Sequence, residues 1–429
     1  MNDHICAIHN EALGDTYYRV DHPSGLTIYV YPKEGYSTTY GIIGTRYGSI
    51  DTFLKTEGHE AKAIPEGTAH YLEHKLFESE ELDAFELFAR TGASANAYTS
   101  FDKTCYLFSC ASSFPENLHY LLDFVQHPYF TEETVRKEQG IIGQEIRMYQ
   151  DEPGWQVLFN LLRCLYHDHP VKIDIAGTIE SISHITADLL YECYRNFYNL
   201  NNMVLAVAGN TTVDEVLTVA DKDLIRKDPV RVERPVIPEP KEPVSDRSEE
   251  HLAVSMPLFA LGYKEHWDTP VRTRKEKLIA DLLLDFIAGE MSPLYNRLLD
   301  EGLINTRVGY EYVNGYGYQT CIFEGESKDP DAVASAIREE VLRLQRDGLD
   351  PVEFERLRRQ SYGRTIMDFN DIDGLANDLV TAHFEGFDLF DDLDLYKNLT
   401  VAEAEAQLRA QFDPDATALS LILPEEDPE

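Results

Sequence analysis

The chain has 429 residues, which is long enough for two domains of about 200 residues each. Its hydrophobic fraction of 43% supports substantial cores and excludes a disordered or fibrous protein. With 38 basic and 76 acidic side chains, the formal net charge is −38, which would repel nucleic acid and anionic membrane surfaces. We expect this charge to serve solubility, with attraction of cationic peptides as the alternative.

Neither membrane insertion nor export is indicated by the sequence. The strongest apolar run, Leu278–Ala288, is interrupted by Asp281 and Asp285 and falls short of the roughly 18 residues that span a bilayer. The first four residues carry no basic segment or apolar core of an export signal. The six cysteines have no paired spacing and are expected to stay reduced. These features predict a cytoplasmic chain without a membrane partner.

The first predicted elements are a strand at residues 26–31 and a helix that begins near Thr68, after Pro65. This helix carries the sequence HYLEH at residues 70–74. Because positions i and i+4 share one helical face, both histidines of this motif can direct a ring nitrogen at a single ion. The glutamate between them borders the same face, where it can act as general base on metal-activated water. The alternative is a surface helix with two solvated histidines.

Residues 94–99 and 105–110 predict a β-hairpin that follows the motif helix. A strand beside a metal-bearing helix would offer backbone groups to which a peptide could add as a further strand. Such pairing tolerates many peptide sequences. The alternative is an ordinary buried hairpin.

A helix predicted at residues 131–148 supplies the candidate third ligand. Two histidines leave a catalytic zinc ion one protein ligand short, and Glu145 can complete the set. Glu138 lies two turns earlier on the same face, and we assign it a supporting contact to the ligands. Two imidazoles and one carboxylate leave an open coordination position, which favours activation of water at neutral pH. One Zn²⁺ ion per chain is expected.

Prolines interleaved with charges make residues 229–246 a predicted linker. It separates a zinc-bearing domain at residues 1–228 from a degenerate second domain at residues 247–429. Residues 131–148 align without gaps on residues 350–367, which supports two related α+β domains, each a mostly antiparallel sheet packed with helices. In that alignment an arginine faces the candidate glutamate ligand, so the second domain is not expected to bind the metal.

Two further clusters are predicted to be structural. In the sequence HDHP at residues 167–170, the histidines are two positions apart and therefore do not share a helical face, and Pro170 stops a helix. We interpret this cluster as a turn rather than a metal pair. Residues 309–318 contain four tyrosines and are predicted to pack rather than to bind a ligand.

At the HYLEH motif the chain resembles the pitrilysin/insulinase family, the inverzincins. Their inverted His-x-x-Glu-His motif is followed some seventy residues later by a glutamate ligand. The step from His74 to Glu145 is 71 residues. The similarity continues at residues 66–70, 96–99, 175–178 and 202–210. Among family members, the chain is most similar to the small-subunit bacterial type, which resembles the beta subunit of mitochondrial processing peptidase.

The resemblance implies a zinc-dependent metalloendopeptidase that hydrolyses peptides enclosed in a chamber between paired subunits. Two linked α+β domains per subunit are the implied fold, in agreement with the pattern of the sequence. The implied roles are metal binding for His70, His74 and Glu145, proton transfer for Glu73, a supporting contact for Glu138, and substrate binding for Asn96, Ala97 and Tyr98.

One departure from the family pattern bears on partners. Active members carry an arginine and a tyrosine in a second-half stretch Arg-Gly-Leu-x-Tyr, where this chain has Glu-Gly-Leu-Ile-Asn at residues 301–305. Arg307 and Tyr310 lie nearby, and a shifted register would restore the pair. The departure implies a heterodimer in which a homologous partner supplies the arginine and tyrosine, with a homodimer as the alternative. The alternative function is that of a non-cleaving or partner-dependent subunit of a peptide-processing complex.

Overall fold

The computed structural model describes residues 4–80, 83–266 and 269–425. Its strands are β1 (Ile5–Asn10), β2 (Asp15–Asp21), β3 (Thr27–Pro32), β4 (Thr39–Thr45), β5 (Phe53–Leu54), β6 (Lys62–Ala63), β7 (Ser94–Thr99), β8 (Thr104–Cys110), β9 (Met203–Gly209), β10 (Arg247–Leu252), β11 (Leu258–Lys264), β12 (Ile304–Gly315), β13 (Tyr318–Ser327) and β14 (Thr417–Pro424). Its α-helices are α1 (Thr68–Leu76), α2 (Ala84–Thr91), α3 (Phe114–Gln126), α4 (Glu132–Gln150), α5 (Pro153–Leu165), α6 (Ile179–Ser183), α7 (Ala187–Phe197), α8 (Val213–Asp223), α9 (Arg274–Ala288), α10 (Pro293–Asp300), α11 (Pro330–Asp347), α12 (Pro351–Asp368), α13 (Ile372–Glu385), α14 (Asp391–Asn398) and α15 (Val401–Gln411).

Two larger sheets have matching topologies. The seven-stranded sheet has the order β1-β2-β3-β9-β4-β8-β7, and the five-stranded sheet has the order β10-β14-β11-β13-β12. In each sheet one strand pair is parallel, β3 with β9 and β10 with β14, and the corresponding hairpins β7–β8 and β12–β13 end at an edge. The five strands of the second sheet therefore repeat five strands of the first in order and direction. This repeat confirms the predicted fold of two related α+β domains.

The chain folds into two compact units, and each unit includes a helix from the opposite half of the sequence. One unit comprises Met1–Gln144, Asp174–Pro235 and Ile366–Phe390, and the other comprises the remaining segments. Helix α13, from the second half of the sequence, packs on β4 and β9, whereas α5, from the first half, packs on β11 and β14. The predicted boundaries at residues 1–228, 229–246 and 247–429 stay a prediction about contiguous domains.

The core of the first unit lies on both faces of its sheet. All residues of β4 and β9 are buried, as expected for central strands that are covered on two sides. The backbone of β4 approaches α13 closely at Gly44, where a Cβ atom would come within 2.9 Å of Val380. A glycine at this position therefore lets α13 pack against the sheet.

The core of the second unit includes much of the tyrosine-rich segment. Tyr312 and Tyr318 are buried, and the Tyr310 hydroxyl donates a hydrogen bond to Asp285 Oδ1 at 2.8 Å. Tyr310 also packs against the hydrophobic cluster of this unit. The predicted packing role of residues 309–318 agrees with these contacts.

The proline-rich segment is held by two of its charged side chains. Arg234 donates to both carboxylate oxygens of Asp51 at 2.6 Å within the first unit. Within the second unit, Glu239 accepts hydrogen bonds from the backbone N–H groups of residues 167–169 and from Lys264. Burial opposes ionisation of Glu239, but these donors lower the pKa of its carboxyl below the ordinary value. The predicted turn at residues 167–170 is thus a structural one, closed by a carboxylate from the segment.

No helix in the described ranges combines the length and the apolar character needed to cross a lipid bilayer.

Candidate metal centre

Helix α1 begins after a turn that only glycine adopts readily. Gly67 has φ of 82° and is the N-cap residue, and Thr68 is the first residue of the helix, which begins where the sequence predicts. A Cβ atom on Gly67 would lie 2.3 Å from the carbonyl oxygen of Ala176. The helix is almost wholly buried, and the Tyr71 hydroxyl donates to the carbonyl of Val135 on α4. These contacts fix the position of the motif relative to α4.

We expect Gly67→Ala to lower the melting temperature more than Gly58→Ala does. Both glycines have φ near 80°, so alanine at either position adopts a left-handed backbone that costs about 1–2 kcal/mol. Gly58 has no atom within 4 Å of an added Cβ, whereas Gly67 faces a backbone carbonyl. The difference between the two variants isolates the steric contact at Gly67. Equal shifts in differential scanning calorimetry would contradict the importance of this contact.

Three candidate ligands converge between α1 and α4. Ligand atoms of His70, His74 and Glu145 all lie within 4.8 Å of one another. The two imidazole rings are 4.5 Å apart between centroids, at an angle of 60°. His70 is buried, whereas the other two are half-buried. Two imidazole nitrogens and one carboxylate oxygen form the donor set of a catalytic zinc site with an open position. The residues present therefore suit a zinc ion.

Glu138 orients one of these histidines. Its Oε1 atom lies 3.0 Å from Nδ1 of His74, and its side chain is buried. A carboxylate on Nδ1 fixes the tautomer of the ring and directs Nε2 toward an ion. Glu138 therefore contacts His74, and its support of a metal ligand stays a prediction.

Glu73 lies on the same helix, with its carboxylate held by the hairpin. Its side chain is buried, and its Oε2 atom accepts a hydrogen bond from Thr99 Oγ1 at 2.5 Å. Thr99 is a contributor to the site that the sequence motif does not predict. The signal that could have found it is its place at the end of the strand next to the motif helix.

The predicted hairpin forms, and its first strand is an edge of the sheet. Strand β7 pairs with β8 in antiparallel register from Ser94 to Thr99, and the sheet order places it outermost. Asn96 is exposed and its Oδ1 atom accepts from the N–H of Ala97 at 2.9 Å. The Tyr98 hydroxyl instead donates to Asn377 Oδ1 on α13 at 2.8 Å. The side chain of Tyr98 thus packs inward, and its backbone remains on the edge strand.

Comparisons with known proteins decide the family. A model described as "Insulinase (Peptidase family M16)" matches residues 58–179, and one described as "Peptidase M16 inactive domain" matches residues 184–361. The "Uncharacterized zinc protease YmfH" of Bacillus subtilis (strain 168) is 36% identical over 98% of this chain and 99% of its own length. The chain belongs to the insulinase family of peptidases, M16. Its full-length similarity to YmfH makes it a small bacterial member.

Solved structures agree with the M16 assignment. An M16-like peptidase from Alicyclobacillus acidocaldarius has a TM-score of 0.93 and 35% identity, and covers 98% of this M16 chain and 100% of its own. A protease from Helicobacter pylori has a TM-score of 0.83 at 19% identity, and covers 96% and 100% of the two chains. The second likeness concerns the fold alone. The M16 fold is therefore present over nearly the whole chain.

Proposed function

We propose that this M16 chain is a zinc-dependent metalloendopeptidase with Glu73 as its general base. The convergence of His70, His74 and Glu145 carries the proposal, and Glu73 lies between the two histidines on α1. The name of the relative YmfH, a zinc protease, supports the metal and the reaction class. We propose a cytoplasmic location on the basis of the sequence.

His70, His74 and Glu145 would hold the ion, one per chain. Zinc in such a site supplies Lewis acidity toward a peptide carbonyl and lowers the pKa of water. Glu73 takes a proton from the attacking water at Oε1, the oxygen opposite the one that Thr99 contacts. The water oxygen bonds to the carbonyl carbon, the C–N bond breaks, and the carboxyl passes its proton to the leaving amine. Water is consumed and two peptides are released.

A peptide substrate is proposed to add to the edge of β7, along Asn96, Ala97 and Tyr98. Pairing with backbone groups gives binding that depends little on the side chains of the peptide. The edge position of β7 and the contact from its last residue to Glu73 support this placement. By resemblance to the family, we place this binding inside a chamber formed with a second subunit, either a homologous partner that supplies an arginine and a tyrosine or a second copy.

Metal removal tests the proposed function. The purified chain is stripped with a chelator and assayed with a quenched cationic peptide, and zinc is then restored. Cleavage should disappear on stripping and return at one equivalent of zinc per chain, because the ion supplies the Lewis acid. Magnesium, which prefers six oxygen ligands, serves as the control and should not restore cleavage. Cleavage that survives complete removal of metal would refute the proposal.

A partner-dependent subunit is the second candidate function. It is favoured by residues 301–305, which lack the arginine and tyrosine of active members, and by the engagement of Tyr310 with Asp285 within the second unit. The chain would then bind zinc at one equivalent and cleave nothing by itself. Cleavage by the isolated chain, shown to be monomeric by mass photometry, would rule out this candidate.

A further inference from the structure

We infer that Thr99 is a positioning residue that couples the substrate-binding edge strand to the general base. The inference rests on the proposed function and extends it to a residue that neither the sequence motif nor the family model assigns. It is based on a hydrogen bond between β7 and α1, together with the contacts that hold the hairpin rigid. Each of these contacts lies within the first unit.

The Thr99 hydroxyl donates its hydrogen bond to the Glu73 carboxylate. Thr99 Oγ1 lies 2.5 Å from Glu73 Oε2, a distance typical of a hydroxyl that donates to a carboxylate. The next oxygen is Thr104 Oγ1 at 3.3 Å, and Thr104 donates its own proton to the carbonyl of Tyr47 at 2.8 Å. The Thr99 hydroxyl therefore donates to Glu73 Oε2, the shorter and charge-assisted contact, rather than to Thr104. It fixes Oε2 and leaves Oε1 for proton transfer.

The turn after Thr99 is fastened to a neighbouring loop. The N–H of Ser100 donates to the carbonyl of Lys103 at 2.8 Å, which closes the hairpin. Carbonyl groups of residues 100 and 101 accept from the N–H groups of residues 49 and 50 at 3.0 and 2.9 Å. Gly48 lies so close that a Cβ atom there would stand 2.5 Å from this turn. The backbone at Thr99 therefore has little freedom to move away from Glu73.

The two faces of β7 contact different helices. Successive side chains of a strand point to opposite faces, so Tyr98 and Thr99 diverge. Tyr98 bonds to Asn377 on α13, and Thr99 bonds to Glu73 on α1. The strand is thus held on both faces, and among the described residues no further strand pairs with its outer edge, where a peptide could add. Thr99 belongs to the strand with which the peptide would pair, and it also orients the Glu73 carboxylate. It would therefore align the bound peptide with the general base.

Loss of the Thr99 hydroxyl should reduce kcat and leave KM unchanged. Valine keeps the β-branched shape and the strand preference but removes the donor. The Glu73 carboxylate then rotates freely, and a misplacement of about 1 Å in a reacting group costs roughly 100-fold in rate. Peptide pairing uses the backbone of β7, which valine retains. A loss confined to kcat distinguishes positioning from substrate binding.

The test compares Thr99→Val with Thr99→Ser in the zinc-loaded chain. We expect Thr99→Val to lower kcat by about 10- to 100-fold, and Thr99→Ser, which restores a hydroxyl, to recover most of it. Thr39→Val is the matched control, because Thr39 also donates a hydroxyl at a strand end of this sheet, to the carbonyl of Asn210 at 2.9 Å. Its kcat should equal that of the wild type. Unchanged kcat in Thr99→Val, or no recovery in Thr99→Ser, would overturn the inference.

A second readout does not depend on activity. Crystal structures of metal-free wild type and Thr99→Val should show the Glu73 carboxylate displaced in the variant, with β7 in place. An identical Glu73 conformation would overturn the inference even if kcat fell. If the wild type cleaves no peptide, the proposed function fails, and the crystal structures alone decide on Thr99. If Thr99→Val does not fold, Thr99→Ala removes the same hydroxyl and takes its place.

Discussion

Glu73→Gln is expected to lower kcat for peptide cleavage by about 100- to 10,000-fold, the usual contribution of a general base. Glutamine has nearly the shape of glutamate and can still accept the hydrogen bond from Thr99 through its amide oxygen. It cannot take a proton from water near neutral pH. Since Glu73 is not among the three converging ligands, zinc content should stay at one equivalent.

Peptide cleavage, zinc content and melting temperature are measured on the same preparation. Glu133→Gln is the matched control, because Glu133 is an exposed residue in the first turn of α4 and the substitution makes the same change in net charge. Its cleavage rate should equal that of the wild type. A Glu73→Gln variant that cleaves at the wild-type rate would remove Glu73 from the mechanism.

The elements that carry the site could be predicted because their signals are local. Pro65 and the following residues predict a helix start near Thr68, and α1 begins at Thr68. The alternating residues of the hairpin indicated two strands, which form as β7 and β8 within one residue of the predicted ends. Spacing of four residues also explained why His70 and His74 face each other. Periodicity and turn chemistry suffice where neighbours in sequence determine the geometry.

The exchange of helices between the units could not be predicted from the sequence. An amphipathic pattern shows that a helix covers an apolar surface, but it does not identify the sheet that it covers. Helix α13 packs on β4 through Gly44, about 330 residues earlier in the chain, and α5 packs on a sheet that begins about 80 residues later. The proline- and charge-rich linker predicts where the chain passes from the first sheet to the second. The extent of each compact unit depends instead on these contacts between residues distant in sequence.

Side-chain contacts between different helices and strands could not be predicted from the sequence either. Tyr98 was assigned to substrate binding as part of a strand, but its hydroxyl bonds to Asn377, 279 residues away. The contact from Thr99 to Glu73 depends on the register of the hairpin and on the packing of α1 against it. Small shifts of either element would separate the two oxygens. Such contacts follow from tertiary packing, which no local pattern specifies.

Glu145→Gln is expected to weaken zinc binding by more than the 10- to 100-fold loss typical of a supporting contact. The side chain keeps its length, but a neutral amide oxygen replaces the carboxylate in the donor set with His70 and His74. Glu138→Gln should fall within about 10- to 100-fold, because Glu138 contacts His74 Nδ1 at 3.0 Å. We expect the larger loss for Glu145→Gln because Glu145 converges with the two histidines, whereas Glu138 only contacts the ring of His74.

Competition against a chromophoric chelator gives the zinc affinity of each variant without reference to cleavage. Gln144→Ala, which truncates the neighbouring exposed side chain on α4, is the control and should bind zinc as the wild type does. Cleavage should fall in the same order as zinc affinity and recover in part when zinc is raised, since the ion binds the folded chain by mass action. Equal zinc affinities for the wild type and Glu145→Gln would show that the ion has no ligand on α4 at this position. The metal centre would then have to be sought with a different third donor.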